Sequence, residues 1–157
     1  MQHQQLQDII GQTFAKANAH TKKILGQPMS SSQVIQLINT GKLLTSGFTA
    51  STNKNGRPHI SWDLFAYWKD TLYMCVSPKS VTHFNLVRSR GVSLVVTDGK
   101  GSSAVFIEGE AKLVGKANEL KEMLLSEIAA NVKGFQMPDY EQLIFEIIPR
   151  KIFTYKG

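Results

Sequence analysis

Between Arg57 and Trp68 apolar and polar residues alternate in a way that only a β-strand with two usable faces can satisfy. Ile60, Trp62, Leu64, Ala66 and Trp68 share one face; His59, Ser61, Asp63, Phe65 and Tyr67 share the other. Trp62 and Trp68, alternating with aliphatics, read as barrel core. Phe65 and Tyr67 then form an exposed aromatic side available to a second subunit. A strand needs partners, and the flanks supply them. Leu43 to Thr52 is rich in Thr, Ser and apolar residues, and Asn53-Lys54-Asn55-Gly56 after it is a strong hairpin signal. On the other side Lys69-Asp70 turns the chain into a third strand, Thr71 to Ser77.

Three further strands follow: Val92 to Thr97, Ala104 to Val114, and Leu143 to Tyr155, which contains Pro149. Gly109 inside the fifth predicts a bulge or a close backbone approach. Helical signals surround this series. Leu6, Ile9, Ile10, Phe14, Ala17 and Ile24 mark one stripe from Leu6 to Leu25. Ser30-Ser31-Ser32 offers caps for a second helix filled by Val34, Ile35, Leu37 and Ile38 and ended by Gly41. A helix from Pro78 to about Ser89 interrupts the strands after the third, and Ala117 to Lys133 forms another before the last, ahead of a loop at Gly134 to Asp139. The expected fold is mainly β with flanking helices (α+β), a six-stranded antiparallel barrel. It is one domain over 1–157, with N-terminal helices in 1–41 and the barrel in 43–155.

Composition narrows the function. At 157 residues and 42% hydrophobic, the chain has material for one core and no excess for a second. One cysteine, Cys75, excludes an internal disulfide or a cysteine zinc site, and between Met74 and Val76 it reads as a small buried hydrophobe. The start, Met1-Gln2-His3-Gln4-Gln5, lacks the basic-then-apolar order of a signal peptide, and no apolar run reaches membrane-span length. The expectation is a cytoplasmic protein with no membrane partner. A net charge of +6 favours an anionic partner. Lys22-Lys23, Arg88 with Arg90, and Arg150-Lys151 are dispersed, which argues for a phosphorylated small molecule over nucleic acid. The four His lack metal-ligand spacing, and Gly99-Lys100-Gly101 is a turn between strands rather than a phosphate loop.

Ser77-Pro78-Lys79-Ser80 lies at a strand-to-helix junction. Ser is a preferred cap and Pro suits the first helical position, so the following amides and the macrodipole would face an anion. Lys79 adds a cation and Ser80 a hydroxyl donor. The arrangement reads either as a cradle for a terminal phosphate or as an ordinary capped helix with a solvated lysine. His83, four residues beyond Lys79, is either a helper to the phosphate or a plain helix-face residue. Asp63, mid-strand, faces a substrate or pairs with a cation across a dimer.

The order Asn55-Gly56-Arg57-Pro58-His59-Ile60-Ser61, then Thr71-Leu72-Tyr73, Lys79 with Asn85-Leu86, Val92-Ser93-Leu94 and Ile107-Glu108-Gly109-Glu110-Ala111 resembles the pyridoxamine 5′-phosphate oxidase-like, FMN-binding split-barrel family. The closing Phe145-Glu146-Ile147-Ile148-Pro149-Arg150-Lys151 is similar to that family's last strand. The resemblance covers about Leu43 to Phe153 and implies a homodimer with FMN in clefts between subunits. It implies phosphate binding by Lys79 and Ser80, with Ser77 close by, and an isoalloxazine lined by His59, Ile60, Ser61 and Trp62. Two features depart from the family. Ala104 and Phe106 stand where some members have Gln and Arg, and the Ser-Arg-Lys motif of the true oxidases reads Ser77-Pro78-Lys79, one cation short. These leave room for the family's other ligands, the deazaflavin coenzyme and haem. No Arg-rich segment like that of the true oxidases follows Tyr155, so the expectation is a relative of the small general stress proteins rather than a vitamin B6 oxidase. The expected function is FMN-dependent oxidoreduction. The alternatives are a non-catalytic flavin store or sensor, and a basic barrel that stacks single-stranded nucleic acid on Trp, Phe and Tyr.

Overall fold

A computed structural model of the chain describes residues 3–39, 44–114, 120, 122–123, 126 and 143–157. Helices α1 (His3–Lys16), α2 (Ala19–Leu25) and α3 (Ser31–Asn39) come first. Strands β1 (Leu44–Thr52), β2 (Pro58–Trp68) and β3 (Thr71–Val76) follow, then helix α4 (Val81–Arg88) and strands β4 (Gly91–Thr97), β5 (Ser103–Leu113) and β6 (Leu143–Lys156). The six strands close into a barrel in the order β1-β2-β3-β6-β5-β4. Every pairing is antiparallel, and β4 seals the barrel against β1 through Phe48↔Val95, Thr49↔Leu94 and Ala50↔Ser93.

Local chemistry explains the corners. At the β1–β2 hairpin the Asn53 carboxamide accepts from the Asn55 and Arg57 amides, and Gly56 takes φ +76° without a Cβ penalty. Lys69 and Asp70 both adopt positive φ, the two-residue turn that matches the twist of β2 and β3. The bulge expected at Gly109 is present: the β5–β6 register shifts between Glu108 and Gly109, and a Cβ there would collide with the Ile148 carbonyl.

The interior is filled by Phe65, Met74, Val96, Val105, Ile107, Phe145 and Ile152, all nearly or fully buried. Helices α1 and α3 add Leu6, Ile10, Val34 and Ile38 to the same cluster. Polar ties seat this N-terminal cover on β6. The Ile152 amide donates to Thr13 Oγ1 at 3.1 Å, and the Met29 amide to Thr154 Oγ1 at 2.9 Å. Among the described residues no helix is long and apolar enough to cross a membrane.

Two expectations are corrected. The stripe from Leu6 to Leu25 is two helices, because Asn18 breaks it: its carboxamide accepts from the Thr21 amide at 2.8 Å and caps α2. The two faces of β2 are right in membership but reversed in direction. Phe65 and Tyr67 point into the barrel and are 0% and 8% exposed, so they are core and not an interface. Trp62, expected in the core, is 63% exposed on the outside, and Ile60 is 70% exposed beside it. Trp68 is half-buried in an outer cluster with Ala66, Cys75, Ile144 and Leu120. The helix expected over 117–133 lies largely outside the described residues, as does the loop at 134–139. Residues 120, 122, 123 and 126 are helical.

Candidate functional site

The junction between β3 and α4 differs from its expected form, and the difference defines the site. Ser77-Pro78-Lys79-Ser80 is a β-turn: the Ser80 amide donates to the Ser77 carbonyl at 3.0 Å, and Pro78 holds the position where its fixed φ suits a turn. The helix begins at Val81, and its cap is Ser80 rather than Ser77. Ser80 Oγ accepts from the His83 amide at 3.1 Å and donates to the Ser77 carbonyl at 2.7 Å. Both capacities of that hydroxyl are thereby engaged. Four amides at a helix start lack intrahelical acceptors. Those of Ser80 and His83 are satisfied here, which among the described residues leaves Val81 and Thr82 as orphan donors at the positive end of the macrodipole.

Lys79 stands exposed one residue before the cap, and its side chain makes no hydrogen bond or ion pair among the described residues. Ser77, half-buried, accepts the Lys79 amide at 3.3 Å through Oγ. His83 is turned away from the role of phosphate helper. Its Nδ1 donates to the Pro78 carbonyl at 2.7 Å, and its ring lies 6.5 Å from that of the buried Phe145. The ring closes the turn over the end of the barrel.

The second part of the site is the first half of β2. Residues 58–63 pair with β1, while pairing with β3 begins only at Leu64↔Cys75. Among the described residues nothing pairs with the other edge of 58–63, because β3 ends at Val76 and the chain turns into Ser77–Ser80. That edge therefore presents backbone donors and acceptors beside the start of α4. Of the four residues expected along the ring, Ile60 and Trp62 project outwards, whereas His59 and Ser61 project to the opposite face and are half-buried. A flat ring cannot touch all four side chains from one side. It can lie along their common edge.

Strand and helix meet at one point. Ser61 Oγ lies 2.7 Å from Thr82 Oγ1 and donates to Asp63 Oδ2 at 2.6 Å. Further along α4, Asn85 donates to Ser51 Oγ at 3.0 Å, and Arg88 bonds the Thr52 carbonyl. Asp63 thus has a hydroxyl for a neighbour, and no cation pairs with it among the described residues. Cys75 is buried as expected; burial, with the Asp63 charge as a lesser cause, pushes its thiol up to about 12. Ala104 is buried in the barrel wall, and Phe106 stands on the outer face, 40% exposed. Among the described residues no group of His, Cys, Asp or Glu could hold a metal.

A family model described as pyridoxamine 5′-phosphate oxidase matches residues 42–156, the whole barrel. The chain belongs to the pyridoxamine 5′-phosphate oxidase family. Solved structures share the family's split barrel. A conserved hypothetical protein from Mycobacterium tuberculosis superposes with a TM-score of 0.65 at 19% identity, over 82% of this chain and 85% of the other. A protein from Listeria innocua described as a pyridoxamine 5′-phosphate oxidase gives 0.62 at 20% identity, over 80% and 98%. General stress protein 26 from Bacillus anthracis gives 0.62 at 17% identity, over 81% and 95%. The same barrel serves an FAD-binding protein from Mesorhizobium loti, an F420 reductase and a haem-binding protein from Mycobacterium smegmatis. None of the curated proteins matches the sequence.

The sequence pointed to Lys79, Ser77, Ser80 and the β2 segment, but it missed Thr82 and the Ser61 hydroxyl that donates to Asp63. A threonine in the first turn of a helix carries no signal by itself. Only the crossing of α4 over β2 gives it meaning.

Proposed function

We propose that this chain is a cytoplasmic flavin-binding redox protein of the pyridoxamine 5′-phosphate oxidase family, with FMN as its cofactor. The reading rests above all on one observation: among the described residues the edge of β2 at 58–63 is unpaired and lies directly beside the orphan amides of α4. An FMN needs such a pair: polar backbone for the ring edge and a cationic, amide-rich pocket for the phosphate. The Val81 and Thr82 amides with Lys79 would hold the phosphate, while Ser80 and Ser77 shape the turn. The backbone of His59, Ile60, Ser61 and Trp62 would flank the ring. When bound, the flavin supplies the hydride and electron chemistry, and the protein's share is orientation and electrostatics.

A homodimer belongs to the same proposal. Cross-strand pairing aligns Trp62, Phe48, Val95 and Phe106 in one row across β2, β1, β4 and β5. Phe48 is 54% exposed in that row. An apolar stripe at the mouth of the candidate cleft would be covered by a second copy, which also encloses a ring too large for a single barrel of this size.

Added FMN should raise the unfolding temperature, since a ligand specific to the folded state stabilises it by about 2.7 kcal/mol at a hundredfold excess over Kd. Light scattering of the loaded protein should return twice the chain mass. An unchanged melting curve well above micromolar FMN sinks the cofactor assignment, and a monomer that retains FMN sinks the dimer. The mass and spectrum of any small molecule released on denaturation separate FMN from a deazaflavin or haem.

A further inference from the structure

We propose that the Ser61 side chain positions α4 and that its hydroxyl makes no contact with the flavin, the ring meeting only the Ser61 backbone. With Asp63 and Thr82 that side chain forms a hydroxyl relay that locks the start of α4 onto β2. The inference deepens the flavin reading above and takes its ligand from it.

The available protons fix the direction of both bonds. Ser61 Oγ is within hydrogen-bond distance of Asp63 Oδ2, at 2.6 Å, and of Thr82 Oγ1, at 2.7 Å. A serine hydroxyl has one proton, and a carboxylate has none to give. The Ser61 proton therefore goes to Asp63. Ser61 meets Thr82 as an acceptor, so the Thr82 hydroxyl is the donor. Both bonds run towards Asp63, and a charged acceptor at the end of such a chain strengthens each link. Ser61 keeps no proton for a flavin carbonyl.

The packing of α4 makes this link matter. An amphipathic helix normally buries its apolar face. In α4, Val81, Phe84 and Val87 are 51%, 60% and 60% exposed, while Thr82 and Asn85 are fully or nearly fully buried. Leu86 is the apolar anchor on the docked side. The rest of the seat is polar: Thr82 to Ser61, Asn85 to Ser51, and Arg88 to the Thr52 carbonyl. Hydrogen bonds fix direction more sharply than apolar contact does. Of these bonds, Thr82's is the one in the first turn, beside Lys79 and the orphan amides. Losing it frees the phosphate end of the helix while the other end stays docked.

Thr82→Val removes the donor at almost constant volume, Thr82→Ser restores it, and Ser61→Ala removes the acceptor. Amide hydrogen exchange on the ligand-free protein should show faster exchange over residues 83–85, the first hydrogen-bonded amides of α4, in Thr82→Val and Ser61→Ala, with the barrel strands unchanged. FMN affinity should fall about fivefold in both, the effect of one hydrogen bond, with riboflavin affinity unaltered. Thr82→Ser should return both readouts to the parent's. Equal loss of FMN and riboflavin in Ser61→Ala would mean that the Ser61 hydroxyl touches the ring and would overturn the proposal. Unchanged exchange in Thr82→Val would overturn it too. If the parent binds neither flavin, it is the functional reading that fails, and the exchange experiment alone then decides whether the relay holds α4.

Discussion

Replacing Phe65 by Ala should cost the fold about 3–5 kcal/mol, lowering the unfolding temperature by roughly 10 °C in a chain of this size. Phe65 is fully buried in the barrel. Its ring reaches over Gly47, where an added Cβ would stand 3.0 Å from Phe65 Cε2 and collide with the Val95 carbonyl. The glycine leaves the room that the ring occupies, so truncation opens a cavity that neighbouring backbone cannot refill. Phe65→Leu keeps most of the volume and should cost less than half as much. Urea unfolding with an unchanged m-value is the measurement. A loss below 1 kcal/mol in Phe65→Ala would return Phe65 to the exposed, subunit-facing role that alternation in β2 also allows.

Lys79→Ala should weaken FMN binding ten- to a hundredfold, the value of a charge-assisted hydrogen bond of about 1.5–3 kcal/mol. The same substitution should cost the fold about 0.5 kcal/mol or less, because Lys79 is exposed and bonded to no described side chain. Riboflavin lacks the phosphate and should bind the variant and the parent alike. Raising the salt concentration should weaken FMN in the parent more than in Lys79→Ala, since only the parent has that ion pair to screen. Calorimetric titration with both flavins reads all of this. If FMN binds Lys79→Ala as tightly as the parent, or if both flavins are lost equally, Lys79 is not the phosphate ligand. The Ser77–Ser80 turn is then an ordinary entry to a capped helix.

Much of this barrel is written locally. The Asn53–Gly56 hairpin, the Lys69-Asp70 turn and the Gly109 bulge are read from a few neighbouring residues, because each answers to backbone conformations that few side chains permit. The strands follow from alternation, which one segment displays without help from the rest. The family resemblance rests on the same segments, and the match over 42–156 bears it out.

What went astray had a different physical origin. Alternation separates the two faces of β2 but carries no sign over Leu64 to Trp68, where both are apolar. Which one turned inward was decided by barrel closure, with Gly47 making space for Phe65 and the outer half of β2 taking a second layer under Leu120. At Ser77-Pro78-Lys79-Ser80 two serines compete to cap one helix, and proline is as well suited to a turn as to a first helical residue. The contest was settled at a distance, where Thr82 could reach Ser61 and His83 could reach the Pro78 carbonyl. By itself, then, the sequence determined the strands and their turns, since these depend on neighbours in the chain. Only the tertiary structure decided which side of β2 is core, where α4 begins, and that Asp63, Ser61 and Thr82 act together. Those outcomes depend on residues distant in the chain meeting in the fold, Ser61 and Thr82 through a hydrogen bond across 21 positions and Leu120 by packing on the outer face of β2.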